Sequence, residues 1–140
     1  MGPLVSDLME TEVQTIDADQ SLERAGTRLY EAGVGSLIVE SAEGVPIGIV
    51  TTEDVLGAIA TADRDLDSLP VRERMSRPLL TIRGDRPVRS AVREMNEQDV
   101  EQLAIVEDFE VVGVIAQADV IESYELLIKA AHDAERQPED

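Results

Sequence analysis

Two short stretches of this 140-residue sequence carry side chains whose types and spacing could do chemistry: GIVTTEDV at 48–55 and GVIAQADV at 113–120. Each runs from a glycine through apolar residues to an aspartate, Asp54 or Asp119, where a helix should begin. Thr51-x-x-Asp54 has the spacing of a capping box, in which the hydroxyl caps a free helix N–H and the acid reaches back to another. An acid in the first turn also gains about 0.3–1 kcal/mol from the helix dipole. The second stretch keeps Asp119 but has Ala116 in place of the threonine, so half of the box is missing. The same corner could take a ligand. A helix N-terminus after a strand offers N–H groups to a phosphate, and a carboxylate beside it can accept both hydroxyls of a ribose. Gly48 and Gly113 let backbone come close to a ligand, or mark plain strand bulges. The residues alone leave the two readings even.

Other chemistries lack material. There is no Cys, hence no disulfide and no thiolate metal site. His132 is the only histidine, in the acidic end HDAERQPED, and no histidine stands near a serine, so nucleophilic triads cannot be assembled. No phosphate-loop glycine motif occurs. A carboxylate cluster could bind Mg²⁺, but 30 acids on a small surface guarantee accidental clusters. No catalytic residue and no metal site is therefore expected, and the chain does not read as an enzyme.

The 30 acids face 12 bases, for a formal charge of −18, and Lys129 is the only lysine. Such a field repels phosphate backbones and excludes nucleic acid as a partner. Regular apolar segments argue against disorder and leave an acidic, solvated surface. The scarcity of lysine resembles proteins of salt-loving archaea, in which high salt screens self-repulsion. No run approaches the roughly 18 apolar residues of a membrane span. The opening MGPLVS fits the N-myristoylation pattern through Gly2 and Ser6, but nothing else suggests anchoring, and a cytoplasmic location is expected. The core must come from Val, Ile, Leu, Ala and Met, because aromatics make up only 2% of the chain.

The elements that position the two aspartates are written twice. A shift of 66 aligns Val5 with Val71, Met9 with Met75, Thr15 with Thr81, Asp19 with Asp85, Ala25 with Ala91 and Leu37 with Leu103. After a one-residue deletion the shift becomes 65 and pairs Gly48 with Gly113 and Asp54 with Asp119. Each copy begins with an apolar run (Val13 to Ile16; Leu79 to Ile82) and a polar turn. A helix follows, with a stripe of Leu22, Ala25, Leu29 and Ala32, or of Val88, Ala91, Val92 and Met95. Ser21 should cap the first of these helices and Gly33 end it, and Pro87 suits the first position of the second. Two apolar runs joined by SAEG or EDF read as hairpins. A closing helix runs from Thr52 to about Ala60, and from Gln117 to about Ala134 with Val120, Ile121, Tyr124, Leu127 and Ala131 on its apolar face. The fold class is α+β, two β-α-β-β-α units: repeat one at 1–61, an acidic linker at 62–70, repeat two at 71–140. One unit alone buries little, so the two should pack through their sheets with pseudo-twofold symmetry.

The ordered set of phrases resembles a tandem pair of CBS domains, the Bateman module: VSDLM and VRERM, TIDADQSLERA and TIRGDRPVRSA, GVGSLIVE and DVEQLAIVE, GIVTTEDVL and GVIAQADVI. The resemblance runs from Val5 to Ser123 and implies a stand-alone regulatory module that binds AMP, ADP, ATP or S-adenosylmethionine. It implies that Asp54 and Asp119 take the ribose of two sites, with Thr51 and Thr52 beside the first and Ala116 beside the second. Ile49 or Val114 would wall the adenine, with backbone from Gly35–Ser36 and Glu101–Gln102. Each site would borrow the opening segment of the other copy, so Asp54 would face Thr81 to Arg86, and Asp119 would face Thr15 to Gln20. Arg83 and Arg86 would then be phosphate partners, unless they belong to a solvated turn, and the Asp54 site would be the stronger. The resemblance also implies a homodimer, through Tyr124, Leu127 and Ile128 of the last helix, and an unknown regulated protein. The rival readings are a structural dimerisation scaffold with vestigial clefts and a sensor of ionic strength or Mg²⁺.

Overall fold

A computed structural model describes residues 2–136, with the side chains of 126–131 and 133–136 outside the description. Leu127, Ile128 and Ala131, expected on the last helix's apolar face, are therefore outside the described residues, as is the acidic end 137–140. The elements run α1 (Val5–Leu8), β1 (Thr15–Asp17), α2 (Leu22–Ala32), β2 (Ser36–Glu40), β3 (Pro46–Thr51) and α3 (Thr52–Thr61). Two single 3-10 turns, Leu66–Ser68 and Val71–Glu73, lead to β4 (Thr81–Ile82), α4 (Val88–Gln98), β5 (Gln102–Glu107), β6 (Glu110–Ala116) and α5 (Gln117–Arg136). The architecture is α+β with two three-stranded sheets, ordered β1-β2-β3 and β4-β5-β6. In each, the first pair is parallel and the second antiparallel.

Local chemistry explains the elements. The Ser21 hydroxyl accepts from the Arg24 N–H at 3.1 Å and starts α2. Gly33, at φ 66°, ends it with its N–H on Leu29 and Tyr30 carbonyls. Asp99 holds the same left-handed position after α4, at φ 54°. Leu22, Ala25 and Leu29 are buried as the stripe requires, while Ala32 is exposed; Val88, Ala91 and Met95 repeat the pattern. Pro87 stands one position earlier than expected. It is the N-cap, extended at ψ 149°, because a bridge to Leu4 holds it there and Val88 takes the first helical place. The initial strands are shorter than their apolar runs, Thr15–Asp17 and Thr81–Ile82, since the ladders begin only at Thr15↔Ile38 and Thr81↔Ala104. Both hairpins form. The second turns through Asp108 and Phe109, both at positive φ, the signature of a two-residue hairpin turn.

Two compact units result: Glu12–Leu80, and Met1–Thr11 with Thr81–Asp140. Each sheet therefore carries the opening segment of the other repeat. In the first unit Ile49 and Ser76 exchange backbone bonds of 3.0 and 2.8 Å; in the second, Glu10 and Val114 do so at 2.8 and 3.0 Å. The correspondence continues bond for bond. Val71 N–H on Gln20 O matches Val5 N–H on Arg86 O, and Arg72 N–H on Ala18 O matches Ser6 N–H on Gly84 O. The linker segment is folded, not free. Leu69 is buried in the first unit's core beside Leu22, Leu37, Val39, Val50, Val55 and Val71, with Leu66 packed against that cluster.

Candidate functional site

The corner between β3 and α3 is a complete capping box. The Asp54 Oδ2 accepts from the Thr51 N–H at 2.8 Å and from the Thr51 hydroxyl at 3.1 Å, while that hydroxyl accepts from the Asp54 N–H at 3.3 Å. Thr52 N–H donates to Gly35 O at 3.1 Å, and its hydroxyl reaches the same oxygen at 3.4 Å. The second corner retains half of this. Ala116 N–H donates to Asp119 Oδ2 at 2.9 Å, and Gln117 N–H donates to Glu101 O at 2.9 Å. The acid thus survives without the hydroxyl because it satisfies the N-cap backbone N–H by itself. In both corners only Oδ2 is engaged among the described residues, and Asp54 and Asp119 are half-buried. A carboxylate held through one oxygen keeps the other available as an acceptor.

Donor counts separate the corners. In the first, the N-cap, first and third helical N–H groups are occupied, leaving that of Glu53 among the described residues. In the second, the N–H groups of Ala118 and Asp119 are both left among the described residues. Glu53 is exposed beside Asp54 and adds negative charge there.

The structure brings Thr51, Thr52, Asp54, Gly35 and Ser36 together, with Ser36 opposite Thr51 in the ladder. It likewise gathers Ala116, Asp119, Glu101 and Gln102, with Gln102 opposite Ala116. Ile49 and Val114 lie mid-strand, their backbones engaged by Ser76 and Glu10. Thr15 belongs to the compact unit of Asp54, and Thr81, Arg83 and Arg86 to that of Asp119. Arg83 donates to Asp85 at 2.7 Å on an exposed turn, and Arg86 donates to the Ser90 hydroxyl at 3.3 Å, so both guanidiniums have partners within the turn and α4. Among the described residues no group of three or more acids or histidines is arranged to hold a metal ion.

The glycines have a cause that the sequence reading missed. A Cβ on Gly48 would stand 2.5 Å from the Ser76 carbonyl oxygen and 3.1 Å from the Met75 Sδ. On Gly113 it would stand 2.7 Å from the Met9 Sδ and 3.0 Å from the Glu10 carbonyl oxygen. The close approach is made by the chain's own opening segments, not by a ligand. A bulge also lies beside each glycine: the register shifts opposite Val39/Glu40 and Ile105/Val106, with Ile47 and Val112 the extra residues on β3 and β6. The available signal was the recurrence of Met9 and Met75 at the repeat spacing, but nothing local tied either methionine to a glycine of the other copy.

Comparison with known proteins places these features. Residues 5–61 and 71–125 each match the CBS domain family. The chain is 25% identical to the uncharacterized protein MK0525 of Methanopyrus kandleri over 84% of this chain and 61% of that protein. It is 28% identical to the CBS domain-containing protein YhcV of Bacillus subtilis, over 83% of this chain and 81% of that one. The crystal structure of the CBS domain pair of protein MJ0100, in complex with 5′-methylthioadenosine and S-adenosyl-L-methionine, superimposes with a TM-score of 0.77 at 23% identity. That alignment covers 89% of this chain and 98% of the other. Several curated relatives are longer: the chain spans 61%, 33% and 23% of the length of three of them. No helix among the described residues is long and apolar enough to cross a membrane.

Proposed function

The chain belongs to the CBS-domain family, with two copies in tandem, and on that premise we propose that it is a ligand-sensing regulatory module for an adenosine-containing small molecule. The observation that carries the reading is the pair of carboxylates, Asp54 and Asp119, each fixed through Oδ2 by a backbone N–H with Oδ1 left to accept. A pre-oriented carboxylate at the end of a strand suits the two hydroxyls of a ribose, since its ordering is complete before the ligand arrives. The ligands named for the MJ0100 pair, 5′-methylthioadenosine and S-adenosyl-L-methionine, share that adenosine and carry no phosphate.

Of the ligands that CBS pairs take, the phosphate-poor ones fit this chain best. Two of the first three N–H groups of α3 are consumed, Glu53 adds an acid, Arg83 is paired with Asp85, and the whole chain carries −18. We rank S-adenosylmethionine or a methylthioadenosine-like ligand above AMP, ADP and ATP, and the Asp54 corner above that of Asp119, whose carboxylate has one bond instead of two. Ligand state would be read by a regulated protein, through a differential affinity of that partner for the two states. A homodimer belongs to the same proposal, supported by exposed apolar residues at equivalent places, Leu56 on α3 and Ile121 on α5.

The test is isothermal titration of each ligand into the wild type, Asp54→Asn and Asp119→Asn. Asparagine keeps one oxygen for the N-cap N–H and removes the charge and the second acceptor. Loss of a charge-assisted bond costs about 1.5–3 kcal/mol, at least about tenfold in affinity. A larger loss in Asp54→Asn is expected; equal losses would overturn the ranking. The capping box itself favours a second reading, a structural scaffold in which the aspartates only cap. That reading predicts no heat with any adenosine ligand and, in molar KCl, no change of melting temperature when the ligand is added.

A further inference from the structure

Because the two units repeat the same pattern of internal hydrogen bonds, each shows what the other lacks. In the unit Glu12–Leu80, the turn Leu66–Ser68 lays Leu66 and Leu69 on a core that includes Leu22 of α2 and Val55 and Ala58 of α3. Leu22 N–H bonds to Leu69 O at 2.8 Å, and in the other unit Val88 N–H bonds to Pro3 O at 3.1 Å, so Pro3 stands in the place of Leu69. The place of Leu66 has no counterpart among the described residues. An apolar groove of about 590 Å³ lies there instead, with Leu4, Leu8, Val92, Val120, Tyr124 and Arg89 among its walls. Its members Val88, Val120 and Ser123 occupy the positions that Leu22, Val55 and Ala58 hold beneath the leucine turn. Leu4 and Tyr124 are exposed, 39% and 66%, where a covering turn would shield them.

The charges differ in a matching sense. The segment that covers the first unit, Ala62–Pro70, carries Asp63, Asp65 and Asp67. At the positions where the first repeat has Gln20, Glu23 and Thr27, the second has Arg86, Arg89 and Arg93. Arg89 and Arg93 form no ion pair among the described residues, in a chain of net charge −18. We propose that the groove is a docking site for an acidic segment of a partner protein that presents a leucine on a single turn. The leucine fills the place Leu66 fills in the other unit, and the acids meet the α4 arginines.

A peptide with the sequence of Ala62–Pro70, ADRDLDSLP, is the probe, titrated into the ¹⁵N-labelled full chain. Saturable amide shifts at Val92, Val120 and Ser123 are expected, and a peptide with both leucines changed to alanine should produce none. Binding should weaken about tenfold in Arg89→Glu and in Val92→Glu, each checked for an intact amide spectrum. The proposal is overturned by an absence of saturable shifts, or by equal binding of the alanine peptide. Shifts confined to Val55 and Ala58 would overturn it too, as exchange with the chain's own turn. So would conversion of a dimer to a monomer by Val92→Glu, because the groove would then be covered by a second copy.

Discussion

Replacing Asp54 by alanine and by asparagine separates the two uses of one carboxylate. Alanine removes the acceptor of the Thr51 N–H and hydroxyl and leaves a half-buried N–H without its bond. Loss of such a cap costs about 1 kcal/mol. Asparagine keeps an oxygen in that place and should lose well under half as much in urea denaturation. Equal destabilisation by the two would show that charge at the helix start matters more than the bond. The spacing Thr51-x-x-Asp54 disclosed this geometry in advance, because a capping box is local and its partners are three residues apart. The sequence did not disclose that Asp119 needs no hydroxyl beside it. That depends on Ala116 N–H pointing at Oδ2, which follows from the shared path of β6 into α5 and not from residue type.

Among the elements, β3 and β6 show how a non-local contact selects a residue. Gly48 faces a rigid backbone oxygen, Ser76 O, at 2.5 Å from a built Cβ, whereas the nearest atom to Gly113 is the end of the flexible Met9 side chain. Gly48→Ala should therefore displace the segment around Ser76 and cost about 1–3 kcal/mol, the usual range for overpacking. Gly113→Ala should cost less, with Met9 swinging aside and Glu10 giving by tenths of an ångström. Thermal unfolding of the two variants checks the order, and equal costs would mean that Ser76 moves as freely as a methionine. Helices and hairpins were legible because their signals are periodic or adjacent: Ser21 and Gly33 bound α2, and the leucine and alanine stripe sets its face. The bonding of Ser76 and Glu10 to β3 and β6 was not, since Met75 lies far along the chain from Gly48 and hydropathy is blind to partners.

For the molecule as a whole, charge is the dominant global quantity. Thirty acids against 12 bases leave most carboxylates without a counter-ion, and the ion pairs of Arg64 with Glu73, Arg72 with Asp19 and Arg83 with Asp85 are all exposed. Exposed pairs contribute little, and net charge this far from zero disfavours the compact state through self-repulsion. Raising KCl from about 0.1 M to about 2 M shortens the screening length from about 10 Å to below about 3 Å. The melting temperature should rise by several degrees over that range. A flat response in calorimetry would show that repulsion between surface acids is negligible here.

By itself the sequence determined the repeat, the order and type of the elements, the capping geometry at Asp54, and the excess of acids. Each of these is carried by composition, by periodicity or by residues a few positions apart. Only the tertiary structure decided that Ser76 and Glu10 add themselves to the sheets of the other repeat and that the glycines exist for that contact. It alone decided that the linker's Leu66 and Leu69 are core in one unit while the equivalent place in the other is a groove. The reason is physical: a chain that repeats its local code still folds by burying surface between segments remote in sequence, and which remote segments meet is set by packing.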